Sequence, residues 1–390
     1  MTKQCTLVLA SVIGKKVICI NPAHPPLPKY LYGFLPFLAS LNQSTDVQET
    51  AMLDGYWHTN PTVIYPFLRV HQSASDIPRN LLLGRAPAVA LGLLGGFVVF
   101  LLTRKLGANR TAAAIAAFLL LFYAEYAGHS ILMAFDVPLA VSCALVSLAG
   151  IRWWQHPKWN NGAVFVSACS LAILVKLPAV LFCAATILTL LALSLFNRKR
   201  VPVISTIMLI FCVGLGCYAA CWGAALFRFS PFSSLPPETI NVYHTPLPQH
   251  AKGIIPWFVR FANENRLLPQ QTLATLRHYI LFNREVFFMG ETSRVGWWSY
   301  FPISIALKTP LSLLLGLIPM GIMLYGWLKK HRGKRWHLQA STGLILVVPF
   351  AILLISTMAS GINMGHRIVL FLYIPWAIFL GISLDQFLRT

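Results

Sequence analysis

Charged residues are scarce in this sequence. Only 11% of its 390 residues are Asp, Glu, Lys or Arg, whereas 57% are hydrophobic, and the mean hydropathy is +0.66. A water-soluble domain needs more polar surface than this to cover its core. The composition therefore excludes an ordinary soluble protein and predicts an all-α bundle of membrane-spanning helices.

The signatures of several enzyme classes are also missing. The eight cysteines include no CxxC pair, which disfavours a disulfide framework or a thiolate zinc site. No Walker loop, nucleophile elbow, GxGxxG or known zinc spacing occurs. Hydrolase, ATPase and dinucleotide-dependent classes are therefore disfavoured. No metal site is predicted, although a divalent metal cofactor is left open.

Acids are the rarer charges, with 11 Asp and Glu against 31 Lys and Arg and a net charge of +20. The bases cluster in short loops without acids, as cytoplasmic loops of membrane proteins do, and this pattern disfavours nucleic acid as a partner. All acids except Asp385 then fall on the opposite face, together with the long loops. We therefore expect a multi-pass protein of a bacterial inner or plasma membrane, with its active side facing the periplasm or exterior.

Apolar runs of spanning length predict about nine transmembrane helices. They lie near residues 81–103, 111–127, 136–151, 162–176, 177–196, 201–226, 301–327, 340–359 and 367–387. The chain accordingly divides into four regions. Residues 1–80 form an outer-face region with interfacial helices, and residues 81–226 form the first part of the transmembrane bundle. Residues 227–300 form a large outer loop, and residues 301–390 form the last part of the bundle. The aromatic segment 27–41 predicts an interfacial helix on the outer leaflet.

A proline-rich stretch, NPAHPPLPK, occupies residues 21–29. We expect its prolines to hold an extended backbone that presents His24 and Lys29 at the outer leaflet. An imidazole and an ammonium group in that place are suited to binding a lipid phosphate. A proline-rich loop whose lysine merely reaches towards the interface explains the same residues equally well.

The segment EYAGHSILMAFDVP leads into a predicted span. His129 and Asp136 are seven residues apart, so a continuous helix would place both on one face. An aspartate that enters a span is costly unless it has a partner or a function. Asp136 is therefore predicted to accept a proton or to orient a substrate hydroxyl. The alternative is an aspartate that caps its helix, with Pro138 in the first turn.

Three cations, Arg85, Lys176 and Lys308, lie inside predicted spans, and each is close to a proline. Together they predict an anion site in the outer half of the bundle. Any one of them alone is also explained by a long side chain that extends its charged group to the membrane interface. The polar segment SGINMGHR connects the last two spans. In this segment, Asn363 is a candidate hydrogen-bonding group for a sugar or for the backbone, and Arg367 is a candidate second phosphate ligand. A plain tight turn explains the segment about as well.

Taken in order, these stretches resemble the membrane glycosyltransferases of the protein O-mannosyltransferase and aminoarabinose transferase superfamily, which have the C-type glycosyltransferase fold. NPAHPPLPKYL resembles the first outer-loop motif of that family, and GHSILMAFDVPLA resembles the second, with its Asp before Pro. LLLGRAPAV, ENRLLPQ, FFMGETSRVGWWSYFPISIALKTPL and INMGHRIVLFLYIP resemble further segments. The resemblance covers nearly the whole chain.

The resemblance implies transfer of a hexose or pentose, with inversion, from a polyprenyl- or dolichyl-phosphate to a protein or lipid hydroxyl at the outer membrane face. A carboxylate would act as general base, and cations would stabilise the departing lipid phosphate. By motif match, Asp136 is expected in the acceptor or sugar site. The residues expected around the phosphate, or in support of it, are His24, Lys29, Arg85, His129, Lys176, Lys308, Asn363 and Arg367.

One departure from the family pattern concerns the base. Family members carry an acidic residue, often Asp-Glu, upstream of the HPP motif, whereas no acid precedes Asp46 in this sequence. The resemblance therefore implies either a truncated chain that lacks an N-terminal helix or an inactive remnant. A transporter or flippase of a lipid-linked sugar, which would use the same cations without a base, is the alternative class.

Overall fold

The computed structural model describes residues 25–40, 76–197, 201–227, 253–280, 285–318, 321 and 338–389. Within these ranges, all regular elements except one two-stranded hairpin are helices, so the predicted all-α fold class is confirmed. His24 and the basic clusters at 198–200 and 329–335 lie outside the described residues.

The helices are α1 (Leu27–Ser40), α2 (Asp76–Lys105), α3 (Arg110–Phe122), α4 (Ala124–Ser130), α5 (Asp136–Gln155), α6 (Trp159–Ile173), α7 (Pro178–Phe196), α8 (Val203–Ala224), α9 (Ile254–Glu264), α10 (Gln270–Ile280), α11 (Tyr300–Lys308), α12 (Leu311–Leu315), α13 (Leu338–Ala359) and α14 (Tyr373–Arg389). The strands are β1 (Val286–Phe288) and β2 (Glu291–Ser293). A 3₁₀ helix over His366–Leu372 precedes α14.

Six helical segments in the described part of the chain are long and apolar enough to cross a membrane. They are Leu81–Lys105, Asp136–Gln155, Pro178–Phe196, Val203–Ala224, Ala340–Ala359 and His366–Arg389. A seventh is obtained if α3 and α4, which meet at a bend of 67°, form one broken span. The predicted count of about nine is not confirmed.

Two predicted spans are not among these segments, and the second of them, 301–327, is described only as far as residue 318 and at residue 321. The run at 162–176 forms α6, whose 15 residues are too few to cross a bilayer of about 30 Å unless the bilayer thins around it. The run at 301–327 begins with two short helices, α11 and α12, on either side of Pro310. Proline has no amide hydrogen and disfavours a helical conformation in the residue before it, so the helix is interrupted there.

The chain divides into two compact units. The first lies within residues 1–89, 174–177 and 217–282, and the second lies within 90–173, 178–216 and 283–390. In the first unit, the amide of Leu27 donates to the carbonyl of Leu174 at 3.1 Å, and the Tyr30 hydroxyl donates to the carbonyl of Ala224 at 2.9 Å. The helices α9 and α10 pack on each other through a small apolar core: Val259, Ala262, Leu273 and Ala274.

The expected extended backbone before α1 is wrong at its C-terminal end. The helix begins at Leu27, so Pro28 lies in its first turn and Lys29 belongs to the helix. A proline is tolerated in a first turn because the amide hydrogen that it lacks would have no partner in the helix. The predicted helix of segment 27–41 is present, and its location at the membrane interface stays a prediction.

The second unit is built around α5. In the most apolar segment of α5, 83% is buried inside the protein, whereas in that of α8 only 17% is buried. Helix α5 is therefore a core helix, and α8 leaves most of its apolar surface open. Aromatic rings support this core: Phe350 packs edge-on against Phe182 at 4.8 Å and stacks on Phe371 at 6.3 Å. Helices α3 and α14 approach closely at Gly381, where a β-carbon would overlap Ala116. Small residues at such contacts are typical of membrane bundles.

The hairpin β1–β2 also belongs to the second unit. Its two-residue loop, Met289 and Gly290, has positive φ angles of 51° and 92°, as a type I′ turn requires. The Phe288 ring packs on Trp297 at 5.6 Å and on Tyr300 at 5.1 Å. These contacts connect the hairpin to the start of α11.

Candidate active site

The candidate active site begins with an ion pair at the start of the core helix. Asp136 is the first residue of α5 and is 7% exposed. Its Oδ2 lies 3.9 Å from Nε of Arg367, whose side chain is about half exposed. The structure thus brings together the predicted carboxylate and one of the predicted phosphate ligands, although they are 231 positions apart in the sequence.

The helix start explains why a carboxylate is tolerated at this position. Phe135 is the N-cap residue and makes no side-chain cap bond, so Asp136 does not cap α5. It lies instead within the first turn, where the unpaired amide hydrogens and the helix dipole stabilise negative charge. The positively charged side chain of Arg367 also stabilises the negative charge of Asp136. The capping alternative raised from the sequence is therefore wrong.

The 3₁₀ helix places Arg367 beside a buried polar network. His366 is 2% exposed, and its Nδ1 lies 3.1 Å from Oγ of Ser304. Its Nε2 lies 2.7 Å from the hydroxyl of Tyr373 and 3.5 Å from that of Tyr123. The two tyrosine rings stack with centroids 4.0 Å apart. A buried network of this kind fixes backbone positions because each polar group needs its partner.

This network extends to the end of α11. The hydroxyl of Thr309 lies 2.8 Å from that of Tyr373, and both residues are buried. Lys308, the last residue of α11, is exposed, and both α11 and α4, the helix of His129, pack against the 3₁₀ helix that carries His366. The predicted residues Lys308 and His129 therefore belong to the same part of the second unit as His366.

His129 lies on α4 and bonds locally. Its Nδ1–H donates to the backbone carbonyl of Glu125 at 2.8 Å, and the Glu125 carboxylate is 3.6 Å away. The condition for His129 and Asp136 to share one helical face is not met, because α4 ends at Ser130 and α5 begins at Asp136. The intervening residues 131–135 are not helical, so the seven-residue spacing has no geometric meaning here.

Asn363 holds two loops together. Its Oδ1 accepts from the amide of Trp297 at 2.7 Å, and its Nδ2 donates to the carbonyl of the same residue at 3.2 Å. Gly296 and Gly361 both have positive φ angles, 75° and 65°, at this contact. A β-carbon on Gly361 would overlap the carbonyl of Val295. Of the two partners considered for Asn363, the backbone is the one that it contacts.

The other described candidates lie in the first unit. Lys29 is 6% exposed in α1, and Lys176 is half-buried in the short segment that connects α6 to α7 along the chain. Arg85 lies on α2, and its buried Nε has no hydrogen-bond partner among the described residues. A basic nitrogen in such a place retains its capacity to bind an anion. Across the part of the chain that the structure describes, no three His, Cys, Asp or Glu side chains form a metal-binding group.

Comparison with known proteins shows the fold of the chain and a family match over part of its length. The chain has the C-type fold of membrane glycosyltransferases, as the sequence motifs predicted. Residues 79–217 match the family model of dolichyl-phosphate-mannose-protein mannosyltransferases. This segment contains four of the predicted site residues: Arg85, His129, Asp136 and Lys176. No curated protein matches the chain by sequence.

A solved structure shares the fold. It is the archaeal oligosaccharyltransferase AglB from Archaeoglobus fulgidus in complex with an inhibitory peptide and a dolichol-phosphate. The TM-score is 0.53 at 12% sequence identity, and the match covers 99% of this chain and 46% of that protein. The chain therefore spans about half the length of this structural relative.

Proposed function

We propose that the chain is a glycosyltransferase that moves a sugar from a polyprenyl- or dolichyl-phosphate to a hydroxyl of a protein or lipid at the outer membrane face. The name of the matching family supports a lipid-phosphate donor. The dolichol-phosphate and the peptide bound to the structural relative support a lipid-linked donor and a protein acceptor. The observation that carries the proposal is the pair of Asp136 and Arg367 within this fold.

In the proposed reaction, the acceptor oxygen forms a bond to the anomeric carbon while the bond from that carbon to the phosphate oxygen breaks. Asp136 takes the proton of the acceptor hydroxyl, and the lipid phosphate leaves with the bonding electrons. A carboxylate that is buried and held beside one cation suits this task, because its position is fixed before the substrate binds.

Cations balance the charge that develops on the leaving phosphate. Arg367 has five N–H donors and uses Nε towards Asp136 at 3.9 Å, so its outer nitrogens remain proposed ligands of the phosphate. Lys308 is exposed at the same part of the unit and is proposed as a second ligand. Supporting roles towards the lipid phosphate or the sugar are proposed for His24, Lys29, Arg85, His129 and Lys176.

The experiment is a transfer assay with the full chain in lipid nanodiscs. A panel of polyprenyl-phosphate hexoses and pentoses is offered with hydroxyl-bearing peptide and lipid acceptors, and sugar transfer is measured by mass spectrometry. Asp136→Asn is expected to lower the transfer rate by about 10²-fold or more, as loss of a general base does.

Asp385→Asn is the matched control. Asp385 is also a buried carboxylate, 5% exposed, and pairs with Arg389 at 3.1 Å, but it lies near the end of α14 and outside the candidate site. This variant should retain the transfer rate of the unaltered chain. Full activity of Asp136→Asn would remove Asp136 from the site. Donor movement across the membrane of proteoliposomes that contain the full chain, without transfer, would replace the proposal with the transporter class.

A further inference from the structure

A second polar region lies at the other end of α5. The helix has 20 residues, so its two ends are about 30 Å apart. Around its C-terminal turn, the second unit contains an open cavity of about 500 Å³. It lies between the end of α2, the end of α5 and the start of α6, and its lining residues are Lys105, Arg152, His156, Lys158, Asn160 and Asn161.

The lining of this cavity is positive and contains no acid. Lys105, Arg152 and Lys158 supply three cations, and no carboxylate of the described chain pairs with them. Asp385, an acid of the described chain that contacts Asn109 just beyond the end of α2, is already engaged by Arg389 at 3.1 Å and by the side chain of Asn109. The cavity therefore presents uncompensated positive charge to an anion.

Hydrogen-bond donors lie beside these cations in the lining of the cavity. Asn160 and Asn161 belong to the first turn of α6, a helix of 15 residues, where amide hydrogens without helical partners favour an anion. The side chain of Asn161 donates to the carbonyl of His156 at 2.7 Å. Gln155 donates to the carbonyl of Lys105 at 3.3 Å. These bonds hold the helix ends that surround the cavity, so the cavity is built into the fold.

The surroundings place the cavity at the level of lipid headgroups. It lies at the ends of two helices that are apolar enough to span a membrane, α2 and α5. Trp159, next to Lys158, is 77% exposed. Exposed tryptophan at the end of a membrane helix is typical of the interface between lipid and water. Basic pockets between membrane helices at this level are suited to phosphate-bearing headgroups.

We propose that this cavity binds the phosphate ester of an anionic membrane lipid, with Lys105, Arg152 and Lys158 as its cationic ligands. The site is separate from the proposed site of sugar transfer, because the length of α5 lies between them. Its ligand is held by charge and amide donors and is not consumed. The inference does not depend on the proposed function.

The test measures lipid binding to the purified full chain in detergent by native mass spectrometry. Phosphatidylglycerol is titrated against phosphatidylcholine, and the chain is expected to prefer phosphatidylglycerol. Arg152→Gln combined with Lys158→Gln should weaken phosphatidylglycerol binding about thirtyfold, since each basic residue near a membrane surface contributes roughly fivefold. Arg104→Gln combined with Arg110→Gln removes the same charge at the same end of the bundle without touching the cavity lining, and it should change binding less than threefold.

Three outcomes would overturn the proposal. Equal losses in the two double variants would mean that the surface potential alone attracts the lipid. Equal binding of both lipids by the unaltered chain would mean that there is no phosphate-ester site for anionic lipid. Binding of glycerol phosphate or inorganic phosphate as tight as that of the lipid would assign the cavity to a soluble phosphate. If the double variant does not fold, Lys158→Gln alone should give about a fivefold loss.

Discussion

The two ends of α5 use charge in opposite ways. At the Asp136 end, a buried carboxylate lies beside an arginine, and a histidine, two tyrosines and two hydroxyl side chains form a closed network next to them. At the Arg152 end, three cations and two amides line an open cavity without a paired acid. Fixed, partnered charge suits a reaction that needs geometry, whereas open, unpartnered charge suits attraction of an anion.

The largest effect should follow from removing the cation at the Asp136 end. Arg367→Gln removes the cation that lies 3.9 Å from the buried Asp136 carboxylate and takes a proposed donor from the leaving phosphate. Sugar transfer should fall by about 10²-fold or more, the effect of losing a donor that stabilises developing charge. The measurement is the transfer rate with the donor that the panel identifies.

Arg389→Gln provides the comparison for this variant. It removes the arginine beside the other buried carboxylate, Asp385, and should leave transfer within about threefold of the unaltered rate. Arg367→Lys keeps the charge but loses the planar guanidinium, so an intermediate rate is expected. If Arg367→Gln and Arg389→Gln had the same effect, the two ends of the bundle would not differ in the way described.

Charged residues of the site could be found in the sequence because they are rare against an apolar background. Asp136 and Arg367 stood out for that reason, and the structure brings them together. The partners of His366 could not be found in the same way. Tyr123, Tyr373 and Ser304 are ordinary residues in membrane helices, and their sequence positions carry no sign that they meet at one imidazole.

Backbone breaks were the other limit of sequence reasoning. The spacing of His129 and Asp136 implied one helical face only if residues 131–135 continued the helix, and they do not. Pro28 was expected to keep the chain extended but lies in the first turn of α1. Apolar runs show where a helix is favourable, but tertiary packing decides where it begins, bends or ends.

The next effect concerns the network at the Asp136 end. His366→Ala leaves the hydroxyls of Ser304 and Tyr373 without the imidazole in a buried setting. Tyr373 keeps the hydroxyl of Thr309 as a partner, so Ser304 is the group that loses its imidazole partner. An unsatisfied buried polar group costs about 1–3 kcal/mol, and the cavity left by the imidazole adds to this cost, so the Tm should fall by several degrees. Thermal unfolding in detergent, followed by intrinsic fluorescence, measures this change.

His156→Ala is the control for the opposite end. His156 is exposed at the Arg152 end, and its side chain makes no hydrogen bond within the described structure. The Tm of this variant should stay within about 1 °C of the unaltered chain, as surface changes usually do. An equal drop for both histidine variants would contradict the distinction between a closed network and an open cavity.

The smallest effect is expected from two glycines, and its sign distinguishes them. Gly361 has a φ of 65°, and a β-carbon there would overlap the carbonyl of Val295, so Gly361→Ala should destabilise the chain by about 1–3 kcal/mol. Gly128 lies in α4 with open space around its Cα, so Gly128→Ala should be neutral or stabilise by up to about 1 kcal/mol. Thermal unfolding of both variants decides the point. If Gly361→Ala were as stable as Gly128→Ala, the close contact between Gly361 and the carbonyl of Val295 would not constrain the residue at position 361.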